Sequence, residues 1–301
     1  MTNPSVVVGS AGQQANRPSD PYLVKIRDLI YQLAGIFQPD NKLYFLEDRI
    51  ARRLKALNLH TLREYYDCLT LKGDREAELR NLLNEITVGE TCFFRNNFQI
   101  DALRKVVLPE IVEVKGKLNF RKLRIWSAGC STGEEPHTLS IVLMEEQMGQ
   151  LKGWSFEIVA TDLNERSVAK CKEGIYGDYA MRNVAPALRE KYFQKQGEQF
   201  RVRDEVRASI NFSRLNLLDD SKMLFMKGMD VIFCANVLIY FDLASKRRVI
   251  QHFFNNLLPS GYFFLGHSES LFSVNDQFHL VHFAGATAYS KTPRKPAGVA
   301  K

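Results

Sequence analysis

The sequence predicts an α/β fold, a mostly parallel sheet covered on both faces by helices, preceded by a small all-α unit. Three observations predict it. From Pro21 to Ile86 apolar residues recur at helical spacing, with no strand-like alternation. Beyond Arg95 short apolar runs alternate with helical stretches, the pattern of strand–helix–strand units. The first of those runs passes directly into a glycine-containing turn, Gly129 to Gly133, and then into a helix.

Taken in order, residues 1–20 are rich in Ser, Gly, Gln, Asn and Pro without periodicity and are expected to form a flexible arm. Residues 21–86 form the helical N-terminal domain, in which Leu23, Ile26 and Ile30, then Leu46, Ile50 and Leu54, then Leu79, Leu82, Leu83 and Ile86 mark successive apolar faces. Residues 87–96 are a linker rich in Thr and aromatic side chains, hence packed rather than a loose tether. Within 97–290 strands are expected at 123–128, 156–160, 231–234 and 262–265, and a helix at 245–258. The alternating runs 199–203 and 206–212, around Asp204 and Glu205, predict a small antiparallel β-insertion at about 199–212. Runs 278–283 and 287–291, around Gly285, predict a closing hairpin. Residues 291–301, with Lys291, Arg294, Lys295 and Lys301, read as a solvated basic tail.

The composition excludes several function classes. With 301 residues, 45% hydrophobic and 25% charged, the chain is globular rather than disordered or fibrous. No apolar run approaches the ~20 residues of a bilayer span, and the N-terminus has no basic segment followed by an apolar core, so a cytoplasmic protein is expected. The five cysteines, Cys68, Cys92, Cys130, Cys171 and Cys234, are odd in number and form no CxxC pair. That argues against a disulfide framework and against a zinc or other metal site, and leaves reduced, buried thiols. The net charge of +7 is carried partly by the tail, whereas a nucleic-acid binder concentrates basic and aromatic residues on one folded face. No nucleic-acid partner is expected.

Five segments carry chemistry. In Arg124–Pro136, a strand, a glycine-containing turn and a helix N-terminus allow a ligand to approach the backbone closely. A Walker loop needs Lys where Glu134 stands, and Glu134 and Glu135 repel phosphate but suit a cationic ligand such as S-adenosylmethionine. A plain strand-to-helix turn, with acidic residues favouring the helix N-terminus, reads equally well. Asp162 ends an apolar strand, where a carboxylate either holds ribose hydroxyls or caps the next helix. Leu215–Asp219 ends another strand, where an adenine edge can be read. Asn236 and Tyr240 follow the strand at 231–234 and face the crevice of such sheets, or else form a turn and a core contact. Arg95, at the end of Thr87–Arg95, either points into a cleft between domains or makes a structural ion pair.

Together these segments resemble the chemotaxis-receptor methyltransferases, the CheR family. The resemblance rests on Thr-Val-Gly-Glu-Thr-Cys-Phe-Phe-Arg (87–95), Trp-Ser-Ala-Gly-Cys-Ser-Thr-Gly-Glu-Glu-Pro (126–136), Ala-Thr-Asp (160–162), Phe-Cys-Ala-Asn-Val-Leu-Ile-Tyr-Phe (233–241) and Leu-Gly-His-Ser-Glu-Ser (265–270), in that order. It implies a helical domain followed by a Rossmann-like methyltransferase domain with a small antiparallel β-insertion. It also implies a protein-glutamate O-methyltransferase that takes a methyl group from S-adenosylmethionine, leaves S-adenosylhomocysteine, and esterifies glutamates on the cytoplasmic helices of chemotaxis receptors for signalling adaptation. Carried over by motif, Gly89, Thr91 and Arg95 line the cofactor cleft, Glu134 takes the methionine ammonium and Asp162 the ribose. Asn216 and Leu217 flank the adenine, and Asn236 and Val237 contact the cofactor from the opposite strand. Arg95 and Tyr240 lie nearest the transferred methyl. Family members commonly have Tyr where His137 stands and Arg where Ala235 stands.

The chemistry needs no catalytic triad, because a glutamate carboxylate, with a pKa of about 4.3, is already ionised at pH 7. The enzyme must align carboxylate oxygen, methyl carbon and sulfur, and strip water from the nucleophile. Arg49, Arg52 and Arg53, at i, i+3 and i+4 on one helix, offer a basic flank on which a Glu-rich receptor helix can dock. The membrane is then reached only through receptors, and a monomer is expected. Two other readings stand beside this one: a regulatory module that binds the cofactor and transfers nothing, and a methyltransferase with a different carboxylate acceptor.

Overall fold

The structure is a computed structural model that describes residues 20–71, 73–87 and 89–294. The flexible-arm expectation falls outside these residues except at Asp20, as do Lys295 and Lys301. Helices α1 (Pro21–Ala34), α2 (Leu43–Leu57), α3 (Leu62–Thr70) and α4 (Arg75–Ile86) form the N-terminal domain. Their boundaries follow from local chemistry. Asp20 caps the N-terminus of α1 by accepting from the Tyr22 amide, and Gly35 ends it in the left-handed conformation. Thr61 and Glu64 form a reciprocal capping box on α3. Leu23, Ile26, Ile30, Leu46, Ile50, Leu82 and Leu83 then close a core of their own.

Beyond it, α5 (Asn97–Ala102) runs through a π-helical turn, Leu103–Val107, into α6 (Leu108–Lys117). The first two strands, β1 (Lys122–Ala128) and β2 (Ser155–Asp162), flank α7 (Glu134–Gln147), and α8 (Glu165–Glu173) follows β2. Then come β3 (Ile175–Gly177), β4 (Phe193–Gln196), β5 (Gln199–Val202), β6 (Ile210–Arg214), β7 (Met229–Cys234), β8 (Leu257–Leu265), β9 (His279–Phe283) and β10 (Ala286–Ser290). Seven strands form one sheet in the order β6-β2-β1-β7-β8-β10-β9. The first five are parallel, and β10 runs antiparallel to both β8 and β9. The strand order reverses between β1 and β7, so a crevice opens beyond their C-terminal ends, where such sheets bind ligands. Fully buried residues such as Ile125, Ile158, Val231 and Phe264 on one face and Trp126, Ile232 and Phe263 on the other show that helices cover both sides.

The strands expected at 123–128, 156–160, 231–234 and 262–265 lie within β1, β2, β7 and β8, and the closing hairpin is β9 with β10. The expected insertion is corrected. β5 pairs with β3 and β4, giving an antiparallel sheet drawn from residues 175–202, and not with the run 206–212. Residues Asp204–Ala208 are helical, and Ile210–Arg214 joins the main sheet beside β2. Two alternating runs can pair with each other or with distant partners, and the apolar edge offered by β2 outcompetes the local hairpin.

The solvated tail is also corrected. Arg294 donates to Glu110 Oε2 (3.0 Å) and to the Ser260 carbonyl (3.0 Å). The Lys291 ammonium lies 4.7 Å above the Phe254 ring. Both basic groups are therefore docked on the domain. All five cysteines are free and buried. No described helix is long and apolar enough to cross a membrane.

Candidate active site

A cavity of about 630 Å³ lies beyond the ends of β1 and β7, with residues of both domains along its walls. It brings together Gly89, Thr91, Arg95, Asp162, Asn216, Leu217, Asn236, Val237 and Tyr240. These residues come from the linker and from the ends of three strands, β2, β6 and β7, so the sheet topology, and not sequence proximity, assembles the site.

The turn after β1 must be glycine-rich. At Gly129, with φ +77°, a Cβ would lie 2.3 Å from Val237 Cγ2, and at Gly89 a Cβ would lie 2.1 Å from Ser131 Oγ. Both positions are close approaches that side chains would fill. The Ser131 amide donates to Asp162 Oδ2 (2.8 Å), and the Asn164 amide to Asp162 Oδ1 (2.8 Å), which fixes the carboxylate while leaving each oxygen a further lone pair. Burial pushes the Asp162 carboxyl above its ordinary range, against those amide bonds. Asp162 does not cap α8. Asn164 does, accepting from the Ser167 amide (3.1 Å).

The expected role of Glu134 is corrected. Successive helical residues point about 100° apart, and of the two acidic residues opening α7 the cavity is lined by Glu135 and not by Glu134. Glu134 turns away and accepts from the Thr132 hydroxyl (2.7 Å), and it is Glu135 that lines the cavity. Burial pushes the Glu135 carboxyl up to about 7, against the hydrogen bond from Ser127 Oγ (2.6 Å) and the field of Arg95. A partly desolvated carboxylate offset by a hydroxyl and a distant cation favours a cationic ligand group.

On the opposite side, Asn236 has φ +62° and its amide donates to Glu269 Oε2 (2.7 Å). The same oxygen accepts from the Gly266 amide (2.9 Å). A Cβ on Gly266 would lie 2.8 Å from the Asn236 nitrogen, so this glycine lets the two loops touch. Glu269 thus holds Asn236 and, through Oε1, the Ile239 amide (3.3 Å), a function sequence reasoning missed although the residue stood in the Gly-His-Ser-Glu block. His267, in the same block, lines the cavity and is exposed. The Asn216 side chain is engaged at the domain junction, donating to the Leu33 carbonyl (2.6 Å) and accepting from the Leu218 amide (3.1 Å), beside Leu217 on the cavity wall.

At the cleft mouth, Arg95 follows Phe93 and Phe94, both buried. Phe94 has φ +52°, uncommon for a bulky residue, and its amide is held by Thr138 Oγ1 (3.1 Å). The Arg95 guanidinium donates to the Glu90 carbonyl (2.6 Å), and not to a carboxylate. Tyr240 is 40% exposed, and burial pushes its hydroxyl pKa up, with Arg95 opposing. His137 is fully buried and lies 3.1 Å, through Nδ1, from the Tyr176 hydroxyl. Burial pushes its pKa down to about 3, so it is a neutral core residue. Ala235 lines the cavity.

The basic flank is corrected too. Arg53 is not presented to a partner: it makes a two-point pair with the buried Glu78 (2.9 and 2.7 Å), which also accepts from the Tyr65 hydroxyl (2.7 Å). Arg49 and Arg52 share Asp48 (2.7 and 3.1 Å), and of the three only Arg52 is well exposed.

The residues fit S-adenosylmethionine. The partly buried carboxylate of Glu135 suits its ammonium, Asp162 retains acceptor capacity for ribose hydroxyls, and the two glycines leave room for a ligand against the backbone.

Comparison with known proteins agrees. Residues 89–286 match the family model of the CheR methyltransferase SAM binding domain, and residues 23–87 that of the CheR methyltransferase all-alpha domain. Chemotaxis protein methyltransferase 2 of Vibrio cholerae is 35% identical over 275 residues, 91% of this chain and 93% of the relative. Chemotaxis protein methyltransferase 1 of Pseudomonas aeruginosa is 33% identical over 268 residues, 87% of this chain and 95% of the relative. Among solved structures, magnesium protoporphyrin IX methyltransferase of Synechocystis with bound SAM is similar at 15% identity, with 74% of this chain and 91% of that chain covered and a TM-score of 0.31. With two family models spanning both domains and relatives aligned along nearly their whole length, the chain belongs to the CheR family of S-adenosylmethionine-dependent chemotaxis methyltransferases.

Proposed function

We propose that this enzyme transfers the methyl group of S-adenosylmethionine to glutamate side chains of chemotaxis receptors, forming methyl esters. The observation that carries this reading is the division of charge along one cavity, with the partly buried acids Glu135 and Asp162 inside and the exposed guanidinium of Arg95 at the mouth. Acids inside suit the cationic cofactor, and a cation at the mouth suits an anionic acceptor.

When bound, S-adenosylmethionine supplies a methyl group activated by its sulfonium. Glu135 holds the ammonium, Asp162 the ribose, Leu217 and the backbone of Asn216 the adenine, and Asn236 and Val237 the opposite side. Gly89 and Thr91 close the linker over the cleft. Arg95 orients the acceptor carboxylate, which is ionised at pH 7 and needs no base. Tyr240 walls the reacting atoms and excludes water. Arg95 acts by positioning, since a tight pair with the nucleophile would lower its reactivity. The acceptor approaches where the helical domain meets the sheet, with residues of both domains along the cavity wall. Of the three arginines on α2, Arg52 is the exposed one left for docking, and Arg49 stands beside it.

The test is transfer of labelled methyl from S-adenosylmethionine to a receptor cytoplasmic fragment, scored by base-labile methanol release. Release that disappears when acceptor glutamates become alanine supports the reading. Tight cofactor binding with no release across a panel of receptors overturns it in favour of a regulatory module.

A further inference from the structure

Within the turn that carries Arg95, the chain places a carboxylate that the methyl transfer does not use. Glu90 is exposed and lines the cavity, five residues before Arg95, and its carbonyl already accepts from the Arg95 guanidinium (2.6 Å). A glutamate side chain on that same residue can reach the guanidinium by rotation about its own χ angles, and a direct ion pair would offset the charge that orients the acceptor. In the structure it does not do so. Glu90 Oε1 accepts instead from the Tyr179 hydroxyl (2.5 Å).

Tyr179 is itself held. The Arg182 guanidinium lies 3.9 Å from its ring centroid, and Arg182 Nη1 donates to the Tyr179 carbonyl (2.7 Å). The next residue, Ala180, accepts from the Phe93 amide (3.0 Å), which anchors the other end of the same turn. Tyr179 and Ala180 belong to the segment between β3 and β4. The segment within the antiparallel insertion therefore touches the Arg95 turn at three points, the Phe93 amide, the Glu90 carboxylate and, through Asn183 Nδ2, Cys92 Sγ (3.5 Å).

We propose that Tyr179 is a positioning residue that keeps the Glu90 carboxylate off Arg95, so that the guanidinium remains available to the acceptor carboxylate. This rests on the acceptor-orienting role given to Arg95. The hydroxyl acts as a hydrogen-bond donor only, and no covalent step is involved. Because Tyr179 and Glu90 are both exposed, the effect on turnover is modest, about three- to tenfold, as for one oriented polar contact.

The test is a double-mutant cycle with steady-state methyl transfer to a receptor cytoplasmic fragment, accompanied by calorimetry with S-adenosylhomocysteine. Tyr179→Phe keeps the ring under Arg182 and removes only the hydroxyl. It is expected to lower kcat/KM for the acceptor about three- to tenfold while the dissociation constant for S-adenosylhomocysteine stays within about twofold. Tyr179→Phe combined with Glu90→Gln is expected to return to the level of Glu90→Gln alone, because the freed side chain can no longer pair with Arg95 as an ion. A merely structural role for Tyr179 would leave the loss in place in the double variant, and that additivity would overturn the proposal. So would an unchanged Tyr179→Phe when Arg95→Ala is impaired. Full turnover in Arg95→Ala would overturn the role of Arg95, and this proposal with it.

Discussion

Glu135→Gln is the sharpest probe of the cavity. A carboxyl raised from its ordinary value near 4.5 to about 7 by burial imposes a penalty on the folded state that is absent below about pH 4.5. As pH rises from 4.5 to 7, the unfolded chain releases this proton while the folded chain retains it, so stability falls. Above 7 the penalty is complete, about 3 kcal/mol at roughly 1.4 kcal/mol per pK unit. Glutamine keeps an acceptor for Ser127 and has no such charge. The variant should therefore melt close to wild type at pH 4.5 and about 6 °C higher at pH 8. Cofactor affinity should move the other way. If the ionised carboxylate holds the ammonium, the wild-type dissociation constant for S-adenosylhomocysteine should be about fiftyfold weaker at pH 5 than at pH 7, following the ionised fraction of a group with pKa about 7. Asp162, whose pKa is also raised by burial, would steepen that limb. Glutamine should flatten it and weaken binding at pH 7.5 by about ten- to a hundredfold, the loss of one charge-assisted hydrogen bond. Calorimetry from pH 5 to 8 and thermal melts over the same range read both. A wild-type affinity that does not change between pH 5 and 7, or a glutamine variant that binds as tightly as wild type, would refute the reasoning.

Asp162→Ala should raise the dissociation constant for S-adenosylhomocysteine about tenfold or more by calorimetry. Arg95→Ala should cut kcat further than it weakens that binding, and unchanged turnover in both would contradict the site. Arg53→Ala leaves the buried Glu78 carboxylate with only the Tyr65 hydroxyl, so stability should fall by about 3–5 kcal/mol in denaturant melts while methyl transfer per folded molecule is retained. A docking role for Arg53 would give the opposite result, a raised KM for receptor at unchanged stability. Gly129→Ala adds a Cβ 2.3 Å from Val237 Cγ2 at a left-handed position, so cofactor affinity should fall steeply in titrations, and a second change, Val237→Ala, should recover part of it.

The main sheet was legible because its strands are buried on both faces and read as continuous apolar runs, from Leu123 to Ala128 and from Val231 to Cys234. The site was legible wherever a residue sits at a strand end, as Asp162 and Asn236 do, since sheet topology brings those ends together. What sequence could not give was rotation and long-range pairing. Glu134 and Glu135 are adjacent and chemically equal, and only the packing of α7 decides which of them faces the cavity. Arg53 reads as a surface cation until α4 brings Glu78 beneath it. The run 206–212 alternates as a hairpin strand should, but a helix at Asp204–Ala208 breaks it and β2 captures the remainder.

The junction between the two domains is made by the residues that also form the cavity. Asn164, two residues beyond Asp162, donates its side-chain amide to the Asn84 carbonyl (3.0 Å) and to Thr87 Oγ1 (3.0 Å), while the Phe37 amide donates to the Tyr240 carbonyl (2.9 Å) and Tyr31 to Asp242 (2.9 Å). Ligand binding stabilises whatever must be folded for the site to exist, and here that includes the end of α4 and the segment after α1. The helical domain is thus thermodynamically linked to cofactor occupancy without touching most of the cofactor. Loading the cleft is therefore expected to raise the stability of the helical domain together with that of the sheet domain.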